Sequence, residues 1–216
     1  MKHFKFTHLG ENLFLHPYKS IYWLKHKILF IADLHLGKAT HFRKSGIPIP
    51  EIIHQTDLER IEFLSENYNP DRIIILGDLF HSSHNKSWTT FKDFCLNKIG
   101  LVPELVLGNH DILEDMHYDF LKIHHNKIEL GPFVLSHKPI LKDELNGYYN
   151  LCGHIHPSVR ISGPAKQSIR VECIYFGEIH GILPAFGNFT GLSKMPNRKK
   201  TDQIFAVTNQ KIIPLF

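Results

Sequence analysis

Five short apolar runs in this chain each stop at side chains that can hold a metal ion. Residues 27–32 run into Asp33-Leu34-His35, residues 72–76 into Gly77-Asp78, and residues 104–107 into Gly108-Asn109-His110-Asp111. Residues 133–136 run into His137, and residues 149–152 into Gly153-His154-Ile155-His156. Apolar runs this short, bounded by turn residues, read as buried strands. Side chains at the carboxyl ends of neighbouring strands converge on one crevice, where open α/β sheets place their ligands. In Asp33-x-His35 and His154-x-His156 the one-residue spacing points both flanking side chains the same way along an extended segment.

The intervening segments set the fold class. Residues 50–68 carry Ile53, Ile61, Leu64 and Tyr68 at helical spacing, with Pro50 suited to a first turn and Asn69-Pro70 ending the segment. A second helix is predicted over residues 88–99, stopped by Gly100. Strand, helix, strand, helix, strand predicts an α/β sandwich. The first 27 residues read as a leading hairpin or edge strands. Beyond residue 125 short strands are predicted at 133–136, 149–152, 170–176, 204–207 and 211–215, with 187–200 as the most loop-like stretch. A chain of 216 residues that is 43% hydrophobic can bury one sizeable core, so residues 1–216 are expected to form a single domain.

The ligand set is carboxylate, imidazole and one amide oxygen, without thiolate. It suits divalent ions such as Mn²⁺, Fe²⁺ or Zn²⁺. Seven candidates, Asp33, His35, Asp78, Asn109, His137, His154 and His156, are too many for one open metal and fit two ions sharing a carboxylate. Cys95, Cys152 and Cys173 form no C-x-x-C, which fits a reducing, cytoplasmic setting, and no apolar run nears the ~20 residues of a membrane span. A net charge of +4 neither identifies nor excludes a nucleic-acid partner.

The order D-x-H, G-D, G-N-H-D, H, G-H-x-H resembles the calcineurin-like metallophosphoesterase superfamily over roughly residues 28–160. The resemblance implies a four-layer αββα sandwich, two mixed sheets flanked by helices. It implies one metal on Asp33, His35 and His156, another on Asn109, His137 and His154, and Asp78 bridging. His110 would contact the phosphate and Asp111 would orient His110. Ser136 stands where many members have glycine. His137 is nonetheless preferred as ligand over His124 and His125, which are expected on a surface loop.

A narrower likeness runs through residues 33–48, through Asp78-Leu79-Phe80-His81-Ser82 and through residues 186–191. These are similar to the ligase-associated DNA damage response endonuclease family, PdeM, and with them the likeness covers nearly the whole chain. It implies a Mn²⁺-dependent phosphodiesterase cutting single-stranded DNA internally, in repair alongside a DNA ligase and helicase. Attack would be in line, by hydroxide held between the metals; Fe²⁺, Zn²⁺ and Ni²⁺ also tolerate these ligands. Lys38, His41, Arg43 and Lys44 can place cations near a substrate phosphate. His81 is a candidate proton donor to the leaving oxygen. Lys194, Arg198, Lys199 and Lys200 read as a solvated loop, and Phe42, Phe80 and Trp88 as core. The alternatives are hydrolysis of a small nucleotide or cyclic nucleotide and, against a complete ligand set, a metal-free interaction module.

Overall fold

The computed structural model describes residues 2–38, 52–81, 86–111, 119–163, 167–188, 190–195 and 199–215. β1 (Phe4–His8), β2 (Glu11–His16) and β3 (Ser20–Trp23) form an antiparallel meander that leads into β4 (Ile28–Ile31). The chain then alternates: α1 (Ile52–Tyr68), β5 (Arg72–Leu76), α2 (Lys86–Phe94), β6 (Glu104–Val106) and β7 (Lys122–His124). The seven strands make one sheet in chain order, with β4 to β7 mutually parallel.

The second sheet starts with β8 (Ile128–Leu130), β9 (Phe133–Leu135) and β10 (Tyr149–Cys152). It continues through β11 (Pro157–Ser162), β12 (Ser168–Phe176), β13 (His180–Ile182) and β14 (Ser193–Lys194). The order is β14-β11-β12-β13-β10-β9-β8. β15 (Gln203–Val207) pairs with β12, and β16 (Ile212–Leu215) with β15. Parallel β9, β10 and β13 sit beside antiparallel partners, so both sheets are mixed.

Strand alternation sorts the apolar residues into two cores. Trp23, Phe30, Ile74 and Leu76 face Phe133, Leu135, Leu151 and Phe176 between the sheets. On the other side Leu29, Ile31, Ile73 and Ile75 meet Leu58, Ile61 and Leu64 of α1 and Trp88 and Phe91 of α2. Each fully buried ring or branched chain contributes roughly 1.5–3 kcal/mol relative to exposure. Phe80 and Trp88 stack at 3.7 Å inside this second core, as expected of core aromatics.

The sandwich thus agrees with the sequence reading, but its fourth layer is thin. Among the described residues both α-helices cover the first sheet. The outward-facing Asn150 of β10 accepts the Ile140 N–H on Oδ1 at 3.0 Å, which lays the loop after β9, with its single turn Lys142–Glu144, on the second sheet. The predicted second helix is α-helical to Phe94, then widens to a π turn over Cys95–Ile99 before Gly100 closes it at φ +67°. Two expectations fail. His124 lies in β7 rather than on a surface loop, while His125 is exposed. The stretch 187–200 is not wholly loop, because Ser193–Lys194 pairs with β11.

His124 belongs to a charge cluster at the end of the first sheet opposite the strand-end ligands. Glu104, buried at the start of β6, receives Arg72 Nε at 2.5 Å, His124 Nε2 at 2.7 Å and Lys122 Nζ at 3.1 Å. Burial alone would raise its pKa; hydrogen bonds from Arg72, His124 and Lys122 outweigh that and hold it at about 2. A folded pKa below the unfolded value stabilises above about pH 4.5, and the contribution is lost as pH falls towards 2. Discounted for the exposure of its partners, Glu104→Gln is expected to cost about 2 kcal/mol at pH 7, or ~4–8 °C in Tm. Melts from pH 7 to 3 check this: the gap between wild type and variant should narrow with acid, and a constant gap contradicts the assignment.

Candidate metal centre

The expected ligands lie at the carboxyl ends of β4, β5, β6, β9 and β10, adjacent in space because β4, β5 and β6 are neighbours in one sheet and β9 and β10 in the other. Asp33 and His35 follow β4, Asp78 follows β5, Asn109 and His110 follow β6, His137 follows β9, and His154 and His156 follow β10. Asp33, His35, Asp78 and His137 are buried; His154 and His156 are half-buried; Asn109 and His110 are exposed.

These side chains form two groups. Asp33, His35 and His156 each offer one ligand atom within 4.8 Å of the others, and Asp78, His137 and His154 do the same. Asp78 faces both: Oδ2 lies 3.8 Å from His35 Nε2, and Oδ1 lies 3.4 Å from His137 Nε2. Asn109 Oδ1 reaches His137 Nε2 at 3.2 Å, which joins it to the second group.

Backbone strain marks the same residues. Asp33, His35, Asp78, His154 and His156 all have φ between +49° and +67°. Positive φ costs a non-glycine residue on the order of 1–3 kcal/mol and persists only where the surroundings fix it. Main-chain bonds do so here, from Asp33 N–H to Gly77 O at 3.1 Å, from His35 N–H to Asp78 O at 2.9 Å and from Gly187 N–H to Asp33 O at 3.2 Å.

The donor chemistry fits cations. His137 Nδ1–H donates to Leu76 O at 3.1 Å, and His156 Nδ1–H donates to Gly191 O at 3.2 Å. Each ring's Nε2 is thereby turned towards a carboxylate oxygen, Asp78 Oδ1 for His137 and Asp33 Oδ1 for His156, both at 3.4 Å. Asp33 Oδ1 and both nitrogens of His35 are buried with no hydrogen-bond partner among the described residues. Burial, reinforced by Lys38 and neighbouring histidines, lowers the His35 pKa to about 2, so the ring is neutral and ligand-ready at pH 7. Burial, then His137 and Lys138, lowers that of His154 against Asp33 and Asp78. Imidazole nitrogens crowded against carboxylates, two of the rings with lowered pKa, are an arrangement that divalent ions resolve.

His35, His81 and His110 cluster above the first group. Ring centroids lie 5.8 Å apart for His35–His81, 5.5 Å for His35–His110 and 5.4 Å for His81–His110. Asp111 is placed differently from the expectation that it orients the His110 ring. Its carboxylate accepts the Phe80 N–H at 3.1 Å and the Gly108 N–H at 2.8 Å, clasping the loops after β5 and β6; burial raises its pKa against these bonds. It is Asp78 Oδ1 that fixes His110, through the His110 backbone N–H at 3.0 Å. Lys38 adjoins the centre, its N–H on His35 O at 3.1 Å; burial lowers its pKa against the pull of Asp78 and Asp33. His41, Arg43 and Lys44, with Phe42 and Arg198, lie outside the described residues.

A clasp from α1 was missed in the sequence. Asp57, buried, accepts Asn188 Nδ2–H at 2.9 Å, while Arg60 bridges Asp57 Oδ1 at 2.7 Å and Phe186 O at 2.5 Å. Together they hold the chain around Phe186–Asn188 beside Asp33. The clue was present, since Asp57 stands four and seven residues before Ile61 and Leu64 on the apolar face, where an unpartnered carboxylate is costly.

No curated protein sequence matches this chain. The crystal structure of Pseudomonas putida nuclease MPE is similar, with a TM-score of 0.81 at 26% identity over 99% of this chain and 100% of that one. The E. coli phosphoesterase YfcE is more distant, with a TM-score of 0.43 at 14% identity over 87% of this chain and 97% of that one. No helix among the described residues is long and apolar enough to cross a membrane. Two ligand groups at the meeting ends of two mixed sheets, in a chain whose residues 26–213 match the calcineurin-like phosphoesterase profile, make this protein a member of that family, a phosphoesterase with places for two divalent ions.

Proposed function

We propose that this phosphoesterase is a nuclease that cuts single-stranded DNA internally, with Mn²⁺ as its metal, and that it serves DNA repair alongside a ligase and helicase in the cytoplasm, residues 1–216 acting as one catalytic domain. The observation that carries the phosphodiesterase reading is the shared position of Asp78 between two three-residue ligand groups. The full-length likeness to a nuclease supports a nucleic-acid substrate, and the sequence likeness to the ligase-associated endonucleases supports the single strand, the metal and the repair setting.

In this reading Asp33, His35 and His156 hold one ion, Asn109, His137 and His154 the other, and Asp78 both. Bound divalent ions supply an acidified water and neutralise charge on the phosphate oxygens. His110 and His81, stacked at the mouth above His35, are placed to donate hydrogen bonds to phosphate and a proton to the departing oxygen. Asp111 keeps the two loops in register for them. Lys38 adds a cation beside the phosphate, and His41, Arg43 and Lys44 are proposed to extend it along the strand.

A circular single-stranded DNA tests this, because only an internal break can open it. Purified protein with Mn²⁺ is expected to give linear product. Intact circles beside turnover of bis(p-nitrophenyl) phosphate would overturn the DNA reading and favour a small nucleotide substrate.

A further inference from the structure

One wall of the metal centre opens into a groove of about 400 Å³ that the metal chemistry does not use. Asn109 and His137 of the centre line it, together with the cations Lys138 and Lys127 and the apolar Pro139 and Leu141. Leu141 is 70% exposed. Lys138 is exposed, and its ammonium has no ion-pair partner among the described residues, whereas Lys127 is held by Glu144 O at 3.1 Å. A larger cavity, about 920 Å³, lies behind the Asp57–Arg60 clasp, but its buried cations are already matched, Lys19 by Glu172 and Arg60 by Asp57.

The groove is built rather than incidental. Ser136, which stands immediately before His137, donates its hydroxyl to Lys138 O at 2.6 Å and accepts Asn150 Nδ2–H at 2.9 Å. Asn150 also accepts the Ile140 N–H at 3.0 Å, and His180 Nε2–H donates to Ile140 O at 2.7 Å. Three of these bonds hold residues 138–140 directly, one of them from the Ser136 hydroxyl, and the fourth ties that hydroxyl to Asn150. Glycine here would leave Lys138 O without its donor. An exposed cation on a turn whose backbone is held, beside apolar Pro139 and Leu141, suits a phosphodiester joined to a sugar and base, since phosphate contacts supply affinity without sequence preference.

We infer that this groove seats the nucleotide next to the scissile phosphate of a single-stranded DNA, with Lys138 on the adjoining phosphate and Ser136 as the positioning residue for that turn. This inference rests on the nuclease reading and adds to it the path of the strand on the Asn109–His137 side.

The test is anisotropy of a fluorescent 12-nucleotide single strand with the metal chelated, over a salt series, beside Mn²⁺ turnover of the same strand and of bis(p-nitrophenyl) phosphate. Lys138→Ala is expected to weaken binding about fivefold and to reduce the slope of log Kd against log salt by ~0.7, one phosphate contact. Its kcat/KM for the strand, taken relative to the diester, should fall by about the same factor through KM. Ser136→Gly should raise KM for the strand about threefold with the salt slope kept, because the charge remains and only its placement loosens. Wild-type affinity, slope and substrate ratio in Lys138→Ala would overturn the groove while leaving the nuclease reading intact. Strand binding that needs Lys138, without cleavage, would sink the nuclease reading and with it the seat beside a scissile phosphate, leaving strand binding alone to the groove. A wild type that neither binds nor cuts the strand would end both.

Discussion

Asp78→Ala is expected to lower phosphodiester turnover by on the order of 10³-fold or more, the largest effect of any single ligand. The reason is geometric: one oxygen of Asp78 faces His35 in the first group and the other faces His137 in the second. Among the described residues Asp33 also nears both groups, its Oδ1 3.4 Å from His156 Nε2 and 3.7 Å from His137 Nδ1. That Nδ1 donates to Leu76 O, however, so Asp78 alone offers a separate oxygen to an Nε2 of each group. The substitution also removes the acceptor for the His110 N–H, so the mouth of the centre loosens with it. Calorimetric titration with Mn²⁺ should show both binding events weakened. Asp33→Ala, by contrast, should weaken one event more than the other, because Asp33 belongs to the group with His35 and His156. Thermal melts of the metal-free proteins check that each variant is folded. Near wild-type turnover in Asp78→Ala, or two unaltered binding events, would remove Asp78 from the bridging position.

The strands that carry the ligands were legible because each is an apolar run with an abrupt polar end, and β5 was read to the residue. The parallel order of β4, β5 and β6 follows from two intervening helices. Other strands gave little signal. β7, β8 and β13 are three residues long, like β6 and β9, but carry Lys122 and His124, Glu129, and His180 and Gly181 where those two strands end in continuous apolar residues. β14 has only two residues, and neighbours rather than propensity hold all four in the sheets. β7 in particular carries Lys122 and His124, polar residues that β6 recruits through Glu104.

The centre divides in the same way. Residue types and their order point to the seven ligand candidates, but nothing local foretells positive φ at Asp33, His35 and His156, since neither residue type demands it. That strain is imposed by packing of one strand-end against the next. The Asp57–Asn188 and Arg60–Phe186 bonds join positions 131 and 126 residues apart, and only the fold brings them together. Ser136 was read as a departure from a glycine pattern; its hydroxyl makes sense only once Lys138 and Asn150 are seen beside it.

Gly108→Ala should be nearly as damaging as losing a ligand, although glycine touches no metal. Its backbone packs directly on Asp78, where an added Cβ would collide with Oδ1 and with the backbone nitrogen. Asp78 cannot turn aside, because Oδ1 is held by the His110 N–H at 3.0 Å and faces His137 at 3.4 Å, while Gly77 before it is fixed at φ +77°. The loop after β6 must move instead, and it carries Asn109 and His110 with it. Overpacking of this kind costs about 1–3 kcal/mol of stability. The displacement of reacting groups by about 1 Å costs on the order of 10² in turnover. Gly163→Ala, where an added Cβ meets nothing within 4 Å among the described residues, is the matched control and should keep wild-type kinetics. Turnover, Mn²⁺ titration and melting of the pair decide it. A Gly108→Ala variant as active as the control would mean that the loop yields without moving Asn109 and His110, and that the close packing of these strand ends is not what holds the centre in place.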